Sequence, residues 1–298
     1  MKSTRPTRRG FTLIEIMIAM VIVAIIGAAF TKLLASQSRF FDKQTNIRKA
    51  RSVARNSMNV LLSDLRMVQD RGGIESASSD GKTIVVKVPY RFGLVCGTTG
   101  TTTTVSMLPS DSSVTAMAQY GGFAWRDSLT AIYTVITPTA PYTGDAPVAS
   151  ASPSLCTGTG AGQASIRTYA VAGRTGDILD LKSPAGSGAQ MGSPVFLWQR
   201  ITYSFANSTR YSGYVGLWRN VDNHPIEEVL APFDTSARFR FYASGADTSV
   251  VSPPAVSSIV GLDLVLNGMS SRVVSNNVNS HSMSKVRTSV FFKNVRTY

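Results

Sequence analysis

An uninterrupted apolar segment near the N-terminus constrains this chain more than any other feature. Residues Phe11–Thr31 read FTLIEIMIAMVIVAIIGAAFT and carry one charge, that of Glu15. At 1.5 Å per residue, a helix of this length spans roughly 31 Å, about the thickness of the hydrocarbon core of a bilayer. A helix that is apolar on all sides must be buried in lipid or among other helices. The segment therefore predicts a transmembrane helix.

The ten residues before this segment set its orientation. They read MKSTRPTRRG and contain four basic residues and no acid. Basic residues beside a first span favour keeping that end in the cytoplasm, so everything after Lys32 is expected outside the inner membrane. Two ordinary explanations are a signal anchor and a cleaved secretory signal. The second fits less well, because the small-x-small cleavage pattern is weak and the apolar run is long.

Glu15 distinguishes the segment from either ordinary explanation. A carboxylate at membrane depth costs about 2.5–3.5 kcal/mol on insertion scales. Buried charges are tolerated where an opposite charge compensates them. An intramembrane acid is therefore a candidate functional residue, and its cationic partner has to be identified.

The residues Arg8-Arg9-Gly10-Phe11-Thr12-Leu13-Ile14-Glu15 resemble the processing site of type IV prepilins and pseudopilins. The resemblance implies that a prepilin peptidase cuts between Gly10 and Phe11 and methylates the new N-terminal Phe11. It also implies that Glu15 pairs with the N-terminal amine of a neighbouring subunit during assembly. The implied partners are other pilins or pseudopilins, the peptidase, the inner-membrane assembly platform and inner-membrane lipid.

The helix is expected to continue beyond the membrane. Residues 32–71 contain no glycine or proline, and Gly72-Gly73 supplies a stop signal. Apolar residues recur every three or four positions, which predicts an amphipathic helix with one apolar stripe. The stripe consists of Ile47, Ala50, Ala54, Met58, Leu61, Leu65 and Val68. The whole helix would contain about sixty residues and measure about 90 Å.

Most of the net charge of +13 is concentrated in this N-terminal region. Residues 32–71 contain nine Lys and Arg against three Asp, and the first ten residues hold four more cations. Such a run predicts a solvated helix face near anionic lipid headgroups or charge pairing between subunits. Binding of DNA is less favoured, because no aromatic residues are interleaved with the cations.

From residue 72 onward the pattern is typical of β-structure, with short apolar alternations separated by Gly, Ser, Thr, Asn and Pro. No strong second helix is predicted, so the sheet should be mainly antiparallel. Val195–Phe205 and Tyr211–Arg219 are expected to form a hairpin. Exposed, mobile loops are predicted at 97–104, 137–154 and 158–162. The predicted strands are Thr83–Pro89, Ala131–Ile136, Ile166–Val171, Val195–Phe205, Tyr211–Arg219, Arg238–Tyr242, Ile259–Asn267 and Val286–Lys293.

The two cysteines, Cys96 and Cys156, lie in loop-like contexts on the exported side, which is an oxidising compartment. The sequence leaves open whether they are bridged or are unrelated thiols. A bridge closing about sixty residues would contribute roughly 4 kcal/mol in the chain-entropy model.

No arrangement of residues points to catalysis, a cofactor or a metal site. His224 and His281 have no second ligand at metal-binding spacing. Asp177 and Asp180 could hold calcium in a loop, but two aspartates near a strand are more often solvated. Glu227 and Glu228 are likewise interpreted as a solvated strand edge.

These observations predict an α+β chain in which a long transmembrane helix packs on a β-rich, mainly antiparallel domain, as in pilins. The expected parts are a leader (1–10), a transmembrane half-helix (11–31), an amphipathic half-helix (32–71) and an exported domain (72–298). The segment order from 201 to 266 resembles the larger minor pilins and pseudopilins, of the PilW or J-pseudopilin type. Because the last cysteine is Cys156, a major subunit with a C-terminal disulfide is not expected.

The predicted function is that of a non-enzymatic minor pilin in, or at the tip of, a type IV pilus. The alternatives are a minor pseudopilin of a type II secretion system, a DNA-binding adaptor of a competence pilus and an autonomous surface protein with one membrane span.

Overall fold

The computed structural model describes residues 12–70, 72–109, 117–157, 176–183, 185–273 and 281–292. Within them, one long helix, α1 (Leu13–Leu65), precedes a large antiparallel sheet, which confirms the α+β prediction. Gly10 and Phe11, the predicted loop 158–162 and the predicted strand Ile166–Val171 lie outside the described residues.

The sheet contains thirteen described strands. The strands are β1 (Ile74–Ala77), β2 (Thr83–Thr99), β3 (Thr102–Met107), β4 (Gly122–Arg126), β5 (Tyr133–Ile136), β6 (Val148–Ala149), β7 (Ile178–Lys182), β8 (Pro194–Asn207), β9 (Val215–Val221), β10 (Glu227–Phe233), β11 (Arg238–Ala243), β12 (Ile259–Val273) and β13 (His281–Phe291). A one-turn helix, α2 (Ser154–Thr157), and a 3₁₀ helix (Val256–Ser258) lie between strands. The main path of the sheet runs β11-β12-β10-β9-β8-β2-β3-β7-β6, while β1 pairs with β2, β13 with β12, and β4 with both β5 and β8.

The main core lies between the second half of α1 and the sheet. The predicted stripe faces it: Ala50, Ala54, Leu61 and Leu65 are fully buried, and Met58 is half-buried against the same cluster. On the sheet side the core is filled mainly by aromatic and branched aliphatic residues of β2, β8, β11 and β12. Burial of this stripe fixes α1 to the sheet because apolar area removed from water is stabilising.

The helix ends at Leu65, before the position that the sequence predicts. Met67 N donates to Asp64 O at 3.0 Å and Val68 N to Leu65 O at 3.3 Å, so the chain tightens into i→i−3 turns after the helix. This turn brings Val68 into the core, where it is fully buried. Gly72, at φ +108°, serves the later turn into β1 rather than the end of α1.

The threonine-rich segment 97–104 is not a mobile loop, contrary to prediction. It forms the end of β2 and the start of β3, where Gly97 pairs with Thr104 and Thr99 pairs with Thr102 across the two strands. Thr103 is fully buried and shares a hydrogen bond of 2.5 Å with Ser187 Oγ. Threonine is β-branched and suits a strand, so the low complexity of the segment concealed a regular hairpin.

The predicted hairpin of β8 and β9 is confirmed. Seven residue pairs join the two strands, from Ile201 opposite Val221 to Asn207 opposite Val215. Strands β1, β3, β4, β6, β7 and β10 were not predicted. A second core lies under β2, β3, β4 and β8 and contains Phe123, Trp125 and Leu197.

A buried carboxylate lies where β11, β12 and β13 meet. Asp263 in β12 is fully buried, and its oxygens accept hydrogen bonds from Arg287 Nε at 3.0 and 2.9 Å and from Ser249 Oγ at 2.7 Å. Burial on its own raises the pKa of Asp263, but the hydrogen bonds from Arg287 and Ser249 outweigh it. The pKa therefore lies below its ordinary value of 3.8.

We expect acid to destabilise the fold through this group. A carboxyl whose pKa is lower in the folded state contributes stability above the unfolded-state pKa and loses it as the pH falls through the folded-state pKa. The urea midpoint of the detergent-solubilised chain should therefore fall as the pH drops below about 4. Asp263→Asn should cost about 2 kcal/mol at pH 7 and weaken this pH dependence.

Some pH dependence should remain in that variant. Hydrogen bonds from neighbouring hydroxyl and amide groups outweigh burial at Glu228 and Asp234 and also lower their pKa values. An Asp263→Asn variant with the same acid profile as the wild type would contradict the assignment.

Candidate functional site

The first half of α1 is uncovered on every side. Its apolar side chains are exposed from Leu13 (81% exposed) to Phe41 (66% exposed). Among the described residues, α1 is the one helix long and apolar enough to cross a membrane. In water such a surface would be strongly unfavourable, so it requires lipid or other apolar helices around it.

Glu15 lies in the first turn of this uncovered half. Thr12 caps the helix: its hydroxyl accepts from Glu15 N at 3.4 Å, and its own N–H donates to Glu15 Oε2 at 2.9 Å. The Thr12 hydroxyl also lies 3.1 Å from the same carboxylate oxygen. This is a capping box, in which the side chains of Thr12 and Glu15 each accept a hydrogen bond from the backbone N–H of the other residue.

The capping box uses only one oxygen of the carboxylate. Within the part of the chain that the structure describes, no hydrogen bond is formed by Glu15 Oε1, and the side chain is exposed. Glu15 can therefore cap its own helix and still form an ion pair with a cation from outside the subunit. The other two predicted site residues, Gly10 and Phe11, lie outside the described residues, so cleavage and methylation stay predictions.

The last turns of α1 are joined to the sheet by a polar cluster. Tyr203 of β8 is fully buried and donates its hydroxyl hydrogen to Asp64 Oδ2, while Arg219 of β9 donates to Tyr203 Oη at 3.2 Å. Arg219 Nη2 lies 3.4 Å from Asp64 Oδ2. Burial, together with the Asp64 carboxylate, raises the pKa of Tyr203 far above its ordinary value. Tyr203 therefore stays a neutral donor, and the cluster fixes the helix to two strands.

The helix also approaches the sheet very closely at Gly268 of β12. A Cβ atom added there would lie 2.4 Å from Ala50 O, 3.1 Å from Ala54 N and 3.2 Å from Ala54 Cβ. Two of these three contacts are backbone atoms of α1. The glycine therefore sets the distance between helix and sheet.

Cys96 and Cys156 form a disulfide with a Cα–Cα distance of 5.0 Å. The predicted loop contexts were wrong: Cys96 belongs to β2 and Cys156 to α2, and both are fully buried. With Ile178 they form a small separate apolar cluster. The bridge ties the segment after β6 to the sheet.

The two aspartates considered for calcium are bonded within the chain. Asp177 pairs with Arg91. Asp180 lies in β7 and accepts from Thr104 Oγ1 at 2.7 Å, Ser150 Oγ at 2.6 Å and Ala151 N at 3.0 Å. The described residues contain no group of three or more His, Cys, Asp or Glu that could hold a metal ion.

The interpretation of Glu228 changes, and His281 has contacts that the sequence does not predict. Glu228 is not solvated: it is buried and accepts from Ser208 and from Thr209 Oγ1 at 2.7 Å, whereas Glu227 is exposed. His281 opens β13 and bonds Tyr214 and, through Nδ1, Ser270 O at 2.9 Å. These contacts close turns and strand ends.

Residues 5–31 match the prokaryotic N-terminal methylation motif family. Neither a curated protein nor a solved structure matches the chain. The matched segment contains the basic residues, the Gly10–Phe11 bond, Glu15 and the apolar run. The chain thus carries a type IV prepilin-like signal at the start of an exposed apolar helix.

Proposed function

Because of this signal, we propose that the protein is a minor pilin that is processed by prepilin peptidase and assembled into, or at the tip of, a type IV pilus. The observation that carries the proposal is the combination of the motif with an α1 whose first half is not covered by any other described part of its own subunit. Lipid covers that surface before assembly, and neighbouring helices cover it afterwards. The exchange costs little, since both surroundings are apolar.

Glu15 supplies the charge pairing of this assembly step. Cleavage after Gly10 creates a free amine on Phe11 of each subunit. The Oε1 atom of Glu15 accepts a hydrogen bond from the charged N-terminal amine of a neighbouring subunit, while Oε2 keeps its hydrogen bonds to Thr12 in the capping box. A paired charge in apolar surroundings is tolerated where an unpaired one is not.

The protein is then a structural subunit with one span in the inner membrane and its β-rich domain outside the cytoplasm. Three observations support this topology: the basic leader, the uncovered helix and a disulfide suited to an oxidising compartment. Its partners are other pilins, prepilin peptidase and the assembly platform. The motif and the uncovered helix equally support a minor pseudopilin of a type II secretion system, and the filament that contains the protein distinguishes the two.

Processing is the direct test of the proposal. In cells that contain prepilin peptidase, intact-mass analysis should show loss of residues 1–10 and a gain of about 14 Da for one methyl group. In the matched strain without the peptidase, the full-length mass should be retained. The processed chain should then be recovered in sheared filaments. An uncut chain in the first strain would refute the proposal.

A further inference from the structure

The second half of α1 and its C-cap residue Arg66 present arginines on the side that faces away from the sheet of the same subunit. Arg48, Arg51, Arg55 and Arg66 are all exposed. At 100° per residue they lie within about 60° of one another and 100–160° from the direction of Ala50, which is buried against β12. We call these four residues the arginine stripe. It extends roughly 27 Å along the helix axis.

The stripe has no partner in the part of its own subunit that the structure describes. The ion pairs of the described residues involve other cations, such as Arg200 with Glu75 and Arg287 with Asp263. The guanidinium groups of the stripe are therefore available to another molecule. Arginine presents a planar fork of donors that matches a carboxylate in two parallel hydrogen bonds, which lysine cannot do.

Lipid headgroups are too far away to be that molecule. The apolar segment ends at Thr31, so Arg48 lies roughly 25 Å and Arg55 roughly 36 Å further along the helix. Even at a tilt of 40° from the membrane normal, Arg48 would lie about 19 Å above the end of the span. The Debye length at physiological salt is about 8 Å, so attraction to anionic lipid is largely screened at this height.

A second copy of this chain is also a poor partner. Residues 32–55 contain seven Lys and Arg and one acid, Asp42. Copies anchored in one membrane run parallel, so at any axial offset below roughly 35 Å their cationic segments overlap and repel. The region from Gly72 onward holds seventeen Lys and Arg against thirteen Asp and Glu, so it is also basic.

We infer that the arginine stripe binds the acidic helix face of a different pilin-like subunit and excludes a second copy of this chain. This inference rests on the proposed function and names the chemistry of the neighbour. The partner should carry Asp or Glu three or four residues apart at a height of about 25–50 Å above the membrane, facing the stripe. Like-charge repulsion then limits this chain to isolated positions in the filament, since specificity comes from repulsion of wrong partners as well as attraction of the right one.

Site-specific photo-crosslinking in cells tests the inference. A photoreactive phenylalanine replaces Asn59, which is exposed and lies between Arg55 and Arg66 on the same face. The expected product joins this chain to a different subunit with an acidic helix. Arg48→Glu/Arg55→Glu should reduce that product about tenfold or more. In this variant, replacing the facing acidic residues of the partner by lysine should restore the cross-linked product.

The matched control changes the same net charge elsewhere. Arg210→Glu/Lys285→Glu alters two exposed cations outside α1 and should leave the product unchanged. A product that is a homodimer, a lipid or a DNA adduct would overturn the inference, as would an unchanged product in Arg48→Glu/Arg55→Glu. If the wild-type chain never enters a filament, the proposed function fails. If the wild type and Arg48→Glu/Arg55→Glu enter filaments equally and give equal amounts of the cross-linked product, the inference about the stripe fails while the proposed function stands.

Discussion

Replacing Gly268 by valine is expected to lower the free energy of unfolding by about 3 kcal/mol or more. The first added carbon would lie 2.4 Å from Ala50 O, and this atom is part of the hydrogen-bonded backbone of α1. Relief requires the helix to move away from β12, which would loosen the packing of Ala54, Leu61 and Leu65. The measurement is urea unfolding of the detergent-solubilised chain, followed by tryptophan fluorescence.

A graded series separates this clash from a general effect of losing a strand glycine. Gly268→Ala should cost less than valine but still about 1–3 kcal/mol. Gly97→Ala is the matched control: it also lies in a strand, and its Cβ would meet only Leu155 side-chain atoms at 3.8 and 3.9 Å. It should change stability by about 0.5 kcal/mol or less. Faster hydrogen exchange across residues 46–65 should accompany the Gly268 variants, and equal stability of both glycine variants would contradict the close approach.

The helix could be predicted from sequence because its pattern is strong and local. The apolar run, the stripe and the motif each involve residues close together in the chain, and the structure confirms the packing of Ala50, Ala54, Leu61 and Leu65. Its end could not be predicted, since residues 66–71 contain no glycine or proline. Tertiary contacts of Asp64 and Val68 accompany the change of direction there.

The strands were harder to predict because their signals depend on distant partners. Glu228 looks solvated in sequence, but a turn twenty residues earlier supplies Ser208 and Thr209 as its donors. Ser57 occupies a fully buried helix position that an apolar stripe does not predict; its hydroxyl donates to Val53 O at 2.6 Å within the same helix. The need for glycine at position 268 could not be predicted either, because the atoms that leave no room for a side chain there belong to α1.

Glu15→Ala is expected to reduce incorporation into filaments by about a hundredfold or more while leaving cleavage after Gly10 intact. Removing one member of a buried charge pair costs about 3–5 kcal/mol, because the remaining charge stays in apolar surroundings without compensation. In assembly, the charge left behind is the N-terminal amine of the neighbouring subunit. The measurement is the ratio of this chain in sheared filaments to this chain in membranes, with intact mass reporting on cleavage.

A loss of incorporation could also follow from a weaker helix start, since Glu15 is part of the capping box. Thr12→Val separates the two causes: it removes the hydroxyl that accepts from Glu15 N and retains the carboxylate. Loss of a cap costs about 1 kcal/mol, so this variant should lose less than about tenfold in incorporation. Equal losses in Thr12→Val and Glu15→Ala would assign the effect to capping and contradict charge pairing. Wild-type incorporation of Glu15→Ala would exclude both roles, because neither the cap nor the pair would then contribute to assembly.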